Sequence, residues 1–189
     1  MTKQHIENVQ PIRTVEQHWQ FIDAIRTTSP KTADRNILLY TLGISTGLRI
    51  GDLVKFRVED VQGKTSVRIQ EGKTKKPRTV YLDTVMADIA NYLEGKPQEG
   101  YLFASAKGGH ITTTQAYRVL QKAADSLGWE WIGTHTLRKT YGYQYYKTYN
   151  NLVNLCEIFN HSSQAVTRRY IGIREEELGE TQKRFKPFG

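Results

Sequence analysis

A histidine and a tyrosine bracket the segment F-N-H-S-S-Q-A-V-T-R-R-Y-I at 159–171, and a second histidine stands three residues before an arginine in T-H-T-L-R-K-T at 134–140. Ser162 and Ser163 are good N-cap residues, so a short helix can hold Tyr170 at a fixed distance from His161. His135 and Arg138, at i and i+3, share one helix face and can both touch one phosphate. If these groups converge with a further arginine and a lysine, the site has no nucleophilic serine, no paired carboxylates and no histidines at metal-ligand spacing. Metal hydrolysis does not suit it. Phosphoryl transfer by charge stabilisation does, because each guanidinium presents a fork of donors matching two non-bridging oxygens. A pentacoordinate phosphorane carries more negative charge than the diester it forms from, so fixed cations favour the transition state. A tyrosine of solution pKa about 10 attacks only if a base takes its proton or its anion is stabilised. His135 is the candidate base, with Arg138 and His161 holding the phosphate. The departing 5′-oxygen needs a proton, which a lysine on a hairpin tip can supply.

These side chains need a scaffold. Thr14 and Gln17 form a capping box ahead of a helix whose broad apolar face is Val15, Trp19, Phe21, Ile22 and Ile25, broken at Ser29-Pro30. The apolar run 33–46 reads as a buried central helix ending at Gly47, where positive φ lets the chain turn sharply. A short helix with Asp52 in its first turn follows. Residues 57–82 alternate with period two and read as a β-hairpin, or as two arms of a three-stranded sheet, with Lys73, Lys75 and Lys76 at its tip. Helices are expected at about 84–94 and 112–128, with a strand at Tyr101–Ser105 between them. The tyrosine-dense stretch 134–149, then 151–160 and 163–170, read as three more. The tyrosines read as packing residues with surface hydroxyls, and Trp129 and Trp131 as core or cleft wall. The fold class is mainly α with a small antiparallel β-sheet, an α+β domain.

The chain has 189 residues, enough for one domain with a sizeable core. Its 27 Lys and Arg against 19 Asp and Glu give a formal charge of +8, which points to a polyanionic partner, nucleic acid before membrane. No apolar run approaches the roughly 20 residues of a membrane span, and the N-terminus lacks the apolar region of a secretory signal. The single cysteine, Cys156, rules out an intrachain disulfide, fits a reducing cytoplasm and reads as a small buried hydrophobe.

Together with T-G-L-R-I-G-D-L at 46–53 and G-K-T-K-K-P-R-T-V-Y-L at 72–82, the two blocks quoted above stand in an order that resembles the catalytic domain of the tyrosine recombinases, the phage integrase family. The resemblance implies that family's catalytic-domain fold over 13–173, an N-terminal arm at 1–12 and a C-terminal tail at 174–189. The sparse apolar residues of that tail, Leu178, Phe185 and Phe188, suit docking on a neighbouring subunit. It implies Arg49 as the first arginine, His135 and Arg138 as the H-x-x-R pair, His161 as the second histidine, and Tyr170 as the nucleophile of a 3′-phosphotyrosyl link. The lysine is placed at Lys73, with Lys75 open as the alternative because register slips easily at a hairpin tip. Asp52 would buttress Arg49 or another site residue, and Lys75, Lys76, Arg78 and Lys139 would face DNA.

Two letters depart from the family pattern: Asn160 where glycine is usual, tolerable because asparagine accepts left-handed backbone, and Lys139 where many members have histidine. The implied activity is site-specific DNA strand exchange (integration or inversion) by a cytoplasmic, bacterial or phage-encoded enzyme. It would need no cofactor, metal or ATP, and would act on double-stranded DNA as a tetramer on two sites. Type IB topoisomerase-like relaxation and a non-catalytic DNA-binding regulator are the competing readings. The family's N-terminal clamp domain has no counterpart in the dozen or so residues before the catalytic domain, as expected of a small stand-alone recombinase or a fragment of a longer one.

Overall fold

The computed structural model describes residues 9–173 and, beyond them, Gly179, Gln182, Lys183, Lys186 and Pro187. The first helix, α1 (Val15–Thr28), starts on the expected capping box, with Thr14 Oγ1 accepting from the Gln17 amide. It buries Phe21, Ile22, Ala24 and Ile25 in the main core, beside α2 (Ala33–Thr46) and the helix at Thr113–Ser126. Val15 and Trp19, expected on that face, are 67% and 58% exposed. The stripe is centred on residues 18, 21, 22 and 25, so positions 15 and 19 fall at its edge; His18 takes the inward place, its Nδ1 2.9 Å from the hydroxyl of fully buried Tyr40.

Two short helices follow, α3 (Ile50–Leu53) and α4 (Val58–Val61), the second in a stretch expected to be strand. The sheet among the described residues is two-stranded: β1 (Ser66–Gln70) pairs antiparallel with β2 (Pro77–Tyr81), Val67 opposite Val80 and Gln70 opposite Pro77. Tyr101–Ser105 is not a strand but a turn held by isolated bridges from Arg57 to Tyr101 and from Ala104 to His110, which bury Leu102 and Phe103. Helices α5 (Met86–Leu93), α6 (Thr113–Ser126) and α7 (Thr136–Tyr149) complete the main core. Trp129, stacked on Phe21 and on Trp131, packs against it. Among the described residues, no helix is long and apolar enough to cross a membrane.

A second, smaller core seats α8 (Leu152–Phe159) and α9 (Gln164–Ile171) on α7 through Leu155, Phe159 and Ile171, with Tyr141, Tyr145 and Tyr146 packed round them. The approach is close because α7 offers Gly142 at the crossing: a Cβ there would lie 2.6 Å from Ile171 Cγ2 and 2.7 Å from Phe159 Cε2. Cys156, expected buried, is half-buried. Residues 9–12, expected to belong to a loose arm, instead pack on the domain, with Ile12 1% exposed. Residues 1–8 and the tail's Leu178, Phe185 and Phe188 lie outside the described residues.

Candidate active site

The site is assembled from four helix ends and one hairpin. At the C-terminus of α2 the chain turns on Gly47, which is left-handed (φ 62°) and whose absent Cβ leaves room for the Tyr141 ring. Arg49 follows in extended conformation ahead of α3. Its Nη1 donates to Glu71 Oε2 at 2.9 Å, at the point where β1 enters the hairpin tip. Glu71 is buried and also accepts from Thr74 Oγ1 at 2.8 Å, while its other oxygen lies 3.6 Å from Arg78 and 3.9 Å from Arg138. Burial alone would raise its pKa, but the hydrogen bonds from Thr74 and Arg49 and the charges of Arg49 and Arg138 hold it below the usual carboxylate value.

At the N-terminus of α7, Thr136 Oγ1 accepts from the Gly133 amide, and His135 stands at the cap position. Arg138, one turn in, is 2% exposed. Its Nη1 donates to the Gly47 carbonyl at 2.7 Å and its Nη2 to the Phe159 carbonyl at 3.0 Å, with the guanidinium over the Phe159 ring. Arg138 therefore ties the ends of α2 and α8 to α7. Burial pushes its pKa down to about 10, which leaves it a cation at neutral pH.

Helix α8 closes on Asn160, left-handed at φ 55° and ψ 43°. That turn delivers His161, whose Nδ1 lies 3.0 Å from Thr167 Oγ1 on α9 and whose carbonyl accepts from Cys156 Sγ at 3.2 Å. Ser163 caps α9 through the Val166 amide. Tyr170, near the end of α9, points back into the site: its hydroxyl is 3.1 Å from His135 Nδ1, and its ring meets His161 and Phe159 edge to face. Burial pushes Tyr170 up to about 12, against the pull of Arg138 and Arg49. Burial, then the charges of Lys139, Arg138, Lys73 and Arg49, lower His135. His161 is lowered by burial and by Arg138 and Arg49. At neutral pH both histidines are therefore neutral and able to accept a proton.

The structure thus brings Arg49, His135, Arg138, His161 and Tyr170 together. Lys73 is exposed at the hairpin tip, near enough for its charge to act on His135. Lys75 is exposed and left-handed (φ 58°). The other residues expected to face DNA are engaged by the protein. Arg78 turns inward, donating to the Thr46 carbonyl at 2.7 Å, because its strand position faces Glu71. Lys76 Nζ donates to Asn160 Oδ1 at 2.7 Å, and Lys139 Nζ to the Val9 carbonyl at 2.7 Å. The Asp52 carboxylate is not the partner of the Arg49 guanidinium; it accepts from the Gly72 amide at 2.8 Å and so anchors the loop that carries Lys73. The carboxylate against Arg49 is Glu71, which sequence reasoning missed; its one signal is a lone acid two residues before Lys73 in a lysine-rich tip.

The family model described as the phage integrase family matches residues 13–177. The chain belongs to that family. A relative in Bacillus subtilis, the probable integrase/recombinase YoeC, is 39% identical over 183 residues, covering 96% of this chain and 97% of the relative. A tyrosine recombinase of Pseudothermotoga lettingae is 32% identical over 148 residues, and there the alignment takes 76% of this chain but 51% of the relative. Among solved structures, XerA recombinase superposes with a TM-score of 0.73 at 20% identity, over 95% of this chain and 66% of that one. The XerH site-specific recombinase bound to palindromic difH substrate gives 0.73 at 23% identity, over 94% and 54%. At those identities the superpositions establish the fold, that of a tyrosine recombinase catalytic domain.

Proposed function

We propose that this phage integrase family member is a site-specific recombinase that cuts and rejoins duplex DNA through a covalent 3′-phosphotyrosyl intermediate on Tyr170. The observation that carries the reading is the 3.1 Å contact between the Tyr170 hydroxyl and His135 Nδ1, within one chain and beside Arg138 and Arg49. His135 takes the phenolic proton as the oxygen attacks phosphorus. The bond from phosphorus to the 5′-oxygen breaks, and Lys73 delivers a proton to that oxygen. Arg49, the remaining donors of Arg138, and His161 hold the non-bridging oxygens, whose charge grows in the transition state. Attack by a 5′-hydroxyl from a second duplex reverses these steps and exchanges the strands.

Because the phosphodiester energy stays in the covalent link, the cycle consumes no ATP, and the cations do the work a metal would otherwise do. Exchange between two sites calls for four such chains, a tetramer assembled on DNA. The names of the relatives, integrase and recombinase, and the net charge of +8 support DNA as the substrate.

The test is covalent trapping. Wild-type protein, incubated without divalent metal on a nicked suicide duplex that cannot religate, gives a denaturation-resistant protein–DNA adduct, and Tyr170→Phe gives none. An adduct that survives in the mutant assigns the nucleophile elsewhere. Binding without any adduct would leave a DNA-binding regulator.

A further inference from the structure

The segment Val9–Arg13 runs across α7 and ends on α9. Ile12 donates its amide to Thr140 Oγ1 at 2.9 Å, and Gln144 Nε2 donates to the carbonyls of Ile12 and Arg13 at 3.3 and 3.0 Å. From this strap Arg13 Nη2 reaches 2.6 Å to the carbonyl of Gly172, the residue that closes α9 two positions after Tyr170. The Arg13 guanidinium also lies over the ring of Tyr143 on α7, 4.6 Å from its centroid.

Helix α9 has eight residues, a length at which isolated helices are marginal. Its N-terminal end is held by the Ser163 cap and by the contact of His161 with Thr167. At the other end, Ile171 is buried and the Arg13 guanidinium takes a terminal carbonyl, where the helix dipole favours a cation. The Tyr170 hydroxyl lies at the far end of a long side chain, well off the α9 axis, so a small rotation at that end carries it off His135.

We propose that Arg13 is a positioning residue for the nucleophile: by joining the end of α9 to α7 it sets the distance from Tyr170 to His135. The inference rests on the recombinase reading for its catalytic consequence, though not for its structural one. It also implies that any partner that displaces residues 9–13 slows cleavage without touching the catalytic groups.

The experiment compares the wild-type 189-residue chain with Arg13→Met, which keeps the aliphatic stem and loses the donors, and with Arg13→Lys, which restores a charged donor group. Hydrogen exchange followed by mass spectrometry reads residues 164–173, and single-turnover adduct formation at saturating suicide duplex reads chemistry. In Arg13→Met, exchange at 164–173 rises on the order of tenfold with α1, α2 and α6 unchanged, and adduct forms on the order of tenfold more slowly with duplex affinity intact. Arg13→Lys recovers part of both. Unchanged exchange at 164–173, exchange that rises throughout the domain, or cleavage within twofold of wild type would each overturn the proposal. If the wild type itself forms no adduct, the recombinase reading fails, while the exchange data still decide whether Arg13 holds α9.

Discussion

Arg49 and Glu71 meet at 2.9 Å across a turn and a hairpin, and the same buried carboxylate faces Arg78 and Arg138. One anion thus hydrogen-bonds Arg49 and lies within ion-pair distance of two more guanidiniums, and Arg49 and Arg138 belong to the proposed phosphate cradle. Removing one partner of a buried ion pair leaves the others uncompensated and costs about 3 kcal/mol or more. Glu71→Gln is expected to lose about that much in urea unfolding, and to slow adduct formation without weakening duplex binding at low salt. Tight adduct kinetics in this variant would show that Arg49 finds its place without the carboxylate.

The pH dependence of stability follows from the same group. Because the folded pKa of Glu71 is depressed below its ordinary 4.5, the unfolded chain binds the proton more readily. The stability contributed by the ionised carboxylate is fully present above about pH 5 and is lost as pH falls through the folded value. Glu71→Gln should therefore unfold with a shallower acid limb than the wild type in thermal melts below pH 5. Parallel limbs in the two proteins would remove Glu71 from the acid response.

A second pH effect belongs to chemistry. His135 accepts the Tyr170 proton only when neutral, and its pKa is lowered from 6.5 by burial and by Lys139, Arg138, Lys73 and Arg49. The rate of adduct formation is expected to be level through neutral pH and to fall only below 6.5. Lys139→Met removes the charge that lowers it most and should move the acid limb upward, towards the ordinary histidine value. A limb that stays put would mean that the titrating group is not His135.

Much of the scaffold could be read from local pattern. The apolar run of α2 and its stop at Gly47, the Thr14–Gln17 capping box and the left-handed Asn160 each follow from side-chain chemistry acting within a few residues. Helix α4, at four residues, is too short to show a helical period, and the apolar letters of Tyr101–Ser105 suit a buried turn as well as a strand. Glu71 and Arg78 escaped because alternation along a hairpin tells which residues share a face, not what lies behind that face. The contact of Arg13 with Gly172 spans 159 positions, beyond the reach of any local signal.

That inward turn of Arg78 is measurable by salt. A side chain that neutralises one DNA phosphate contributes about 0.9 to the slope of log affinity against log salt. Arg78→Ala is expected to lower stability and leave that slope unchanged, since its guanidinium is spent on Thr46 and Glu71. Lys75→Ala, at the exposed tip, should reduce the slope by about 0.9 with little effect on stability. The opposite pattern would return Arg78 to the DNA face.

Gly142 sets two effects of opposite sign against each other. In a helix interior, replacing glycine by alanine gains about 1 kcal/mol of propensity. Here the new methyl would sit 2.6 Å from Ile171 and 2.7 Å from Phe159, both fully buried and without room to swing away. Overpacking of that kind costs about 1–3 kcal/mol, so strain prevails and the relief must come from moving α8 and α9 off α7. Ile171 is the neighbour of Tyr170, so the nucleophile moves with it. Gly142→Ala is expected to lower the melting temperature by a few degrees, and to slow adduct formation at temperatures where the domain remains folded. A higher melting temperature with unchanged cleavage would mean that propensity prevails and that the seat of α9 on α7 is looser than the packing of Ile171 and Phe159 indicates.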